Sequence, residues 1–263
     1  MSGPVSHEVS APHYEATFEY DTPLVNGLAV PVALLFGLLG QAIGFDIFVF
    51  VTTGMWMHEL GHAIVAWLSG FFAVALPFVT LQPSEDRSIF VTLVVLSLIG
   101  ALAFYGHRKR RWALLGFSGA LLVTQALLTL GVNPAQATKW VIFSGLGGEL
   151  VLPTALVLAF YQRLPARWDF WRYPVLGASA VTLVRGLFLW IGVWRGTRVM
   201  PHGSMIGDDA SGDVERLGRV YHWNEHDLAG TYVAIAWACV MVVATAYAFY
   251  LLRAFKTASR PSA

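Results

Sequence analysis

Met57-His58-Glu59-Leu60-Gly61-His62 places two imidazoles four residues apart, with a carboxylate beside the first. On an α-helix, residues four apart are offset by only about 40° and about 6 Å of rise, so both rings can reach one ion. Glu59 falls beside them, where it can take a proton from a water that zinc has acidified to a pKa of about 7 and pass it to a leaving amine. This HExxH pattern is that of a zinc hydrolase, with His58 and His62 as metal ligands and Glu59 as general base. Random placement of the histidines and glutamates gives about 0.007 such matches in a chain of this length, so coincidence is a poor account.

Two carboxylates compete for the third ligand position. Glu149 lies inside an apolar segment, in Ser144-Gly145-Leu146-Gly147-Gly148-Glu149-Leu150-Val151-Leu152-Pro153, with no salt-bridge partner nearby in sequence. The glycines admit a neighbouring helix, and Pro153 cannot bond the Glu149 carbonyl, so a kink or opening is expected there. Glu149 is therefore the expected third ligand. Asp46, twelve residues before His58, is the alternative, as a ligand or as a group orienting an imidazole. Arg185, also in an apolar segment, is expected to pair with a buried carboxylate, with Asp46 and Glu149 as candidates.

These residues need elements that hold them in an apolar setting, and the composition supplies them. The chain has 263 residues, 56% hydrophobic and only 13% charged, with a mean hydropathy of +0.60. Half the usual charged fraction cannot cover a water-facing surface, which makes this a membrane protein with the lipid bilayer as a partner. A net charge of +1 gives no basic field for nucleic acid. The single cysteine, Cys239, excludes a disulfide framework or a CxxC motif.

Apolar segments run at about 28–50, 52–72, 88–106, 112–132, 139–162, 173–194 and 229–253, each near the ~20 residues that cross a bilayer. The expected fold is an all-α, polytopic transmembrane helical bundle of about seven helices, or six if the second segment is re-entrant. One transmembrane domain over 28–253 is expected, preceded by an acidic segment at 1–27 and followed by a basic tail at 254–263. The site should lie between the second and fifth segments, reached by water from the cytoplasmic side, with Gln125 lining the path. Residues 107–111, the loop holding Arg163, Arg167 and Arg172, and the tail holding Arg253, Lys256 and Arg260 place ten of the 17 positive residues in the cytoplasm. That choice puts the N-terminus and the 195–228 loop outside and the C-terminus inside. Arginine far outnumbers lysine, which points to a bacterial inner membrane.

His58-Glu59-Leu60-Gly61-His62-Ala63 in a hydrophobic helix, with a downstream Gly147-Gly148-Glu149 cluster, resembles the site-2 protease family of intramembrane zinc metallopeptidases, in a divergent branch. The resemblance implies a Zn2+ cofactor held by His58 and His62, Glu59 as the base, and a transmembrane or membrane-adjacent segment of another protein as substrate. The family typically supplies its third ligand as aspartate in Leu-Asp-Gly. This chain has no Asp-Gly pair, and no PDZ-like domain is expected.

Two other readings belong beside this one. His222-Trp223-Asn224-Glu225-His226 matches the inverted motif HxxEH, and the pairs His58/His62 and His222/His226 would suit a di-iron membrane oxidase. Asn224, with Asp227 three residues on, reads instead as the capped start of the last helix. A non-catalytic homologue that binds clients, or a transporter relaying through Glu149, Asp46 and Arg185, is the other class. Asp208, Asp209, Asp213 and Glu215 read as a solvated acidic surface or a lid, with Asp213 capping a short helix whose Val214, Leu217 and Val220 face the bundle or the membrane. Trp168, Phe170, Trp171, Trp190 and Trp194 are expected at the interface. Oligomeric state is left open.

Overall fold

In the computed structural model, residues 22–82, 84, 86–162, 166–203 and 212–258 are described. Most of the acidic N-terminal segment, Arg163, Asp208, Asp209 and the end of the basic tail lie outside them. Helix α1 (Pro23–Ile43) starts on the Thr22 cap, whose hydroxyl accepts from the Val25 amide, and stops at Gly44, whose φ of 75° is left-handed. The chain then continues as helix from α2 (Phe45–Val49) through a π-helical stretch, Phe50–Gly54, into α3 (Met55–Leu68), which carries the HExxH residues. A short antiparallel hairpin follows, β1 (Val74–Leu76) on β2 (Val79–Leu81), with Ala75 opposite Thr80. Helices α4 (Ile89–Arg108) and α5 (Trp112–Ala126) form an antiparallel pair, and α6 (Pro134–Ala159) begins on an Asn133/Gln136 capping box. Helix α7 (Arg172–Trp194), the short α8 (Asp213–Tyr221) and α9 (Glu225–Ala258) complete the all-α bundle.

Six helices are long and apolar enough to cross a membrane: Leu24–Ile43, Ile89–Arg108, Trp112–Gly131, Pro134–Ala159, Asp169–Trp194 and Glu225–Ala254. The second apolar segment is not among them, so six holds rather than seven. The reason is visible in its partners. Tyr173 at the start of α7 bonds Asn26, and a Cβ on Gly37 would touch Ala180 and Val184, so α1 runs parallel to α7. Asp46 and His58 then meet Arg185 and Glu149, after which Leu68 reaches Thr129 at the end of α5. Thus α1 and α3 together make one passage from end to end of the bundle.

Tyr247 near the end of α9 donates to the Gly27 carbonyl, so the start of α1 and the end of α9 share one end of the bundle. The end of α6 and the start of α7 lie there too, Phe160 against Tyr173, as does the Arg108–Arg111 turn, because α4 starts at the opposite end, where Arg87 bonds the Val132 carbonyl. The hairpin, the start of α6 and the α8–α9 turn lie at the other.

Helix α6 is the central post. Gly61 on α3 and Gly148 on α6 meet backbone to backbone: a Cβ on Gly61 would collide with the Ser144 carbonyl and lie 2.9 Å from Gly148 Cα. Ser144 also donates its hydroxyl to the Gly61 carbonyl at 3.0 Å. Small residues therefore set the close α3–α6 approach. The helical run is continuous through Pro153. Behind it, Trp190, Tyr232, Phe143 and Trp223 stack in series with centroids 4.3, 4.7 and 5.3 Å apart. Trp190, expected at the interface, is 1% exposed, whereas Phe170, Trp171 and Trp194 are exposed; stacking on buried Tyr232 draws it into the core. Gln125 donates to the Thr92 carbonyl between α5 and α4 and is not among the residues lining the cavity beside the HExxH helix.

Candidate metal centre

Glu149 lies fifteen residues beyond the start of α6, about 22 Å along its axis and so near the middle of the bundle. At this depth a cavity of about 490 Å³ opens among α3, the hairpin, α6, α7 and the segment before α8. His58, Glu59, His62, Glu149, Arg185 and Asp213 all line it.

The two histidines are fixed from behind. His62 Nδ1 lies 2.7 Å from the Val141 carbonyl, and His58 Nδ1 lies 2.8 Å from Glu149 Oε1. A carbonyl only accepts, so His62 carries its proton on Nδ1 and leaves Nε2 bare. An ionised Glu149 imposes the same tautomer on His58. The two Nε2 atoms then face each other at 3.1 Å. Asp213 Oδ2 completes a triangle, 3.1 Å from His58 Nε2 and 3.1 Å from His62 Nε2. That oxygen is buried, yet it makes no aligned hydrogen bond to either ring. Three such atoms converging at this spacing could hold one cation between them. Tetrahedral bonds of about 2.0 Å put ligand atoms about 3.3 Å apart, so the donors fit a small divalent ion. Among the described residues, His58, His62 and Asp213 are the one group of three or more His, Cys, Asp or Glu so gathered.

Asp213 reaches this depth because α8 lies along α6. Val214 and Leu217 are buried against the bundle, while Val220 is exposed, and Tyr221 bonds the Ala135 carbonyl at the far end of α6. Gly212, rather than Asp213, is the cap residue of α8. Glu215 holds the approach to Asp213 by accepting from His202 Nδ1 and the Gly203 amide, each at 2.9 Å. Gly145 makes the space: a Cβ there would strike the His62 ring and stand 2.7 Å from Asp213 Oδ2.

The expected residues separate into roles by position. Glu149 touches His58 on the ring edge turned away from the convergent atoms. Asp46 lies on Arg185, 3.5 Å from its Nε, and Arg185 also faces Glu149 Oε2 at 3.9 Å, so both expected pairings occur. Glu59 is buried on the cavity wall, where Thr80 of β2 donates to Oε2 at 2.7 Å and to the Glu59 carbonyl at 2.8 Å. His222 and His226 do not join this cavity. His222 ends α8 in a left-handed conformation, and Asn224 caps the start of α9 by accepting from the His226 amide.

The sequence reading passed over Asp213 as a ligand because acidic residues surround it. The available signal was the apolar pair Val214 and Leu217, which marks a helix face docked on the bundle just after the acid. Compared with known proteins, the chain matches no family model, no curated protein and no solved structure.

Proposed function

We propose that the chain is a zinc-dependent intramembrane endopeptidase that hydrolyses a peptide bond in a membrane protein. The observation that carries this reading is the meeting of His58 Nε2 and His62 Nε2, on the helix that also carries Glu59, with Asp213 Oδ2 of α8, each pair about 3 Å apart. Zinc bound there supplies Lewis acidity, which lowers the pKa of a water from about 15.7 to about 7 and polarises a carbonyl. The site uses Asp213 where Glu149 was expected, and Glu149 becomes the group that orients His58. Glu59 accepts the proton released as water adds to the scissile carbonyl, then delivers it to the departing amide nitrogen as the C–N bond breaks. Thr80 holds Glu59 Oε2 and leaves Oε1 for that transfer. Because Thr80 belongs to the hairpin, the base is set by two elements.

Sidedness follows from charge. The end of the bundle with the Arg108–Arg111 turn and the C-terminal basic residues is assigned to the cytoplasm of a bacterial inner membrane. Both described ends of the chain are then cytoplasmic, and the hairpin and the segment before α8 descend to the site from the outer face. The test is Glu59→Gln against wild type in detergent or proteoliposomes, with a membrane-spanning peptide reporter. Glu59→Gln retains the metal and loses cleavage. Equal cleavage by the two proteins overturns the assignment.

A further inference from the structure

The cavity is lined in part by a cation that the proposed chemistry does not use, Arg185 of α7. Arg185 emerges from α7 opposite the HExxH helix, and its guanidinium is clamped on three sides. Its Nε lies 3.5 Å from Asp46 Oδ2 of α2, and its NH1 lies 3.9 Å from Glu149 Oε2 of α6. Its Cζ stands 3.7 Å above the ring of Phe50. Phe50 opens the π-helical stretch that leads directly into α3. The extra residue in a π turn rotates the helix before it, and π segments concentrate at functional sites. Here Asp46 and Phe50 both face Arg185 while His58 faces Glu149.

The four groups form a chain: Asp46, Arg185, Glu149 and His58, on α2, α7, α6 and α3. Glu149 uses one oxygen on His58 Nδ1 and the other toward Arg185. A guanidinium facing its second oxygen fixes how the Glu149 carboxyl is turned, with Oε1 on His58 Nδ1. The planar fork of arginine serves two carboxylates at once, and stacking on Phe50 fixes its plane.

We infer that Arg185 is a positioning residue for the metal centre: by holding the Glu149 carboxyl in place against His58, it fixes the His58 ring with Nε2 toward the ion. This rests on the proposed metal site. Partners of this kind on metal-bound histidines typically alter affinity by 10–100-fold. Because Arg185 acts through Glu149, its effect should vanish once the Arg185–Glu149 ion pair is removed.

The experiment is cobalt titration of the full chain in detergent, following visible absorption, for wild type, Arg185→Gln, Glu149→Gln and the double variant. Arg185→Gln is expected to weaken cobalt by about 10–100-fold and to change the spectrum per bound ion, as a displaced imidazole would. A role confined to folding would lower the amount of competent protein and leave that spectrum unchanged. In the Glu149→Gln background the Arg185 substitution is expected to do nothing further. Wild-type affinity and spectrum in Arg185→Gln overturn the inference, as does an equal loss in both backgrounds. Should Arg185→Gln not be recovered folded, Arg185→Lys takes its place. A single ammonium cannot hold Asp46 and Glu149 together, so about threefold weakening is expected, and only where Glu149 is intact. Absence of cobalt binding by the wild type refutes the metal site itself, a separate result.

Discussion

Replacing Gly145 by alanine places one methyl group where the proposed ligands converge. The added Cβ collides with the His62 ring and lies 2.7 Å from Asp213 Oδ2, whereas ordinary contact begins at 3.4 Å. Relief therefore requires a shift of about 0.7 Å at Asp213, and more at His62. Metal bonds tolerate about 0.2 Å. Gly145 lies in α6, where α3 and α8 are packed on either side, so neither ligand can retreat and still share one ion. Losing one of three protein ligands is expected to weaken metal binding by at least 100-fold, about 3 kcal/mol. The helix itself gains about 1 kcal/mol from alanine, so melting of α6 does not explain such a loss. The assay is zinc or cobalt titration of detergent-purified protein, with Gly147→Ala as the control, because a Cβ on Gly147 meets nothing within 4 Å. Gly145→Ala binding metal as Gly147→Ala does would refute the ligand assignment.

Two further outcomes are expected. Thr80→Val removes the hydroxyl that holds Glu59 at 2.7 Å, and should lower kcat by about tenfold while leaving metal content unchanged, since hydrogen bonds to charged groups contribute about 1.5–3 kcal/mol; loss of metal would show that the hairpin acts on the ligands instead. Single cysteines at positions 24, 109 and 254, in a chain with Cys239 replaced, should react with an impermeant reagent from one side of the membrane, and cysteines at 133 and 222 from the other. Labelling of 24 from the opposite side to 254 would restore a seven-crossing chain.

The helices were legible because membrane-spanning segments announce themselves by length and apolarity, and the boundaries of α4, α6 and α7 fall within a few residues of the expected runs. The HExxH pair was legible because its spacing is local to one helix. Glu149 could be drawn to the site from its glycine-rich surroundings, since those glycines are what admit α3. Which ring atom it would meet depends on the rotation of α3 against α6, which spacing does not encode. Asp213 was hidden by distance in sequence and by its acidic neighbours; only docking of Val214 and Leu217 lowers it into the bundle. The number of crossings depends on docking in the same way. Counting positive loops presumes that every apolar segment crosses, whereas the run from Phe45 to Leu68 shares one passage with α1.

The central claim is that His58, His62 and Asp213 hold one metal ion at the middle of a membrane bundle. Its most direct test is the zinc content of wild type purified in detergent without chelator, beside His62→Ala, Asp213→Ala and Glu149→Ala. The account predicts one zinc per wild-type chain, none in His62→Ala or Asp213→Ala, and a weakened but measurable site in Glu149→Ala. A wild type without metal, or zinc retained in Asp213→Ala and abolished in Glu149→Ala, would contradict it.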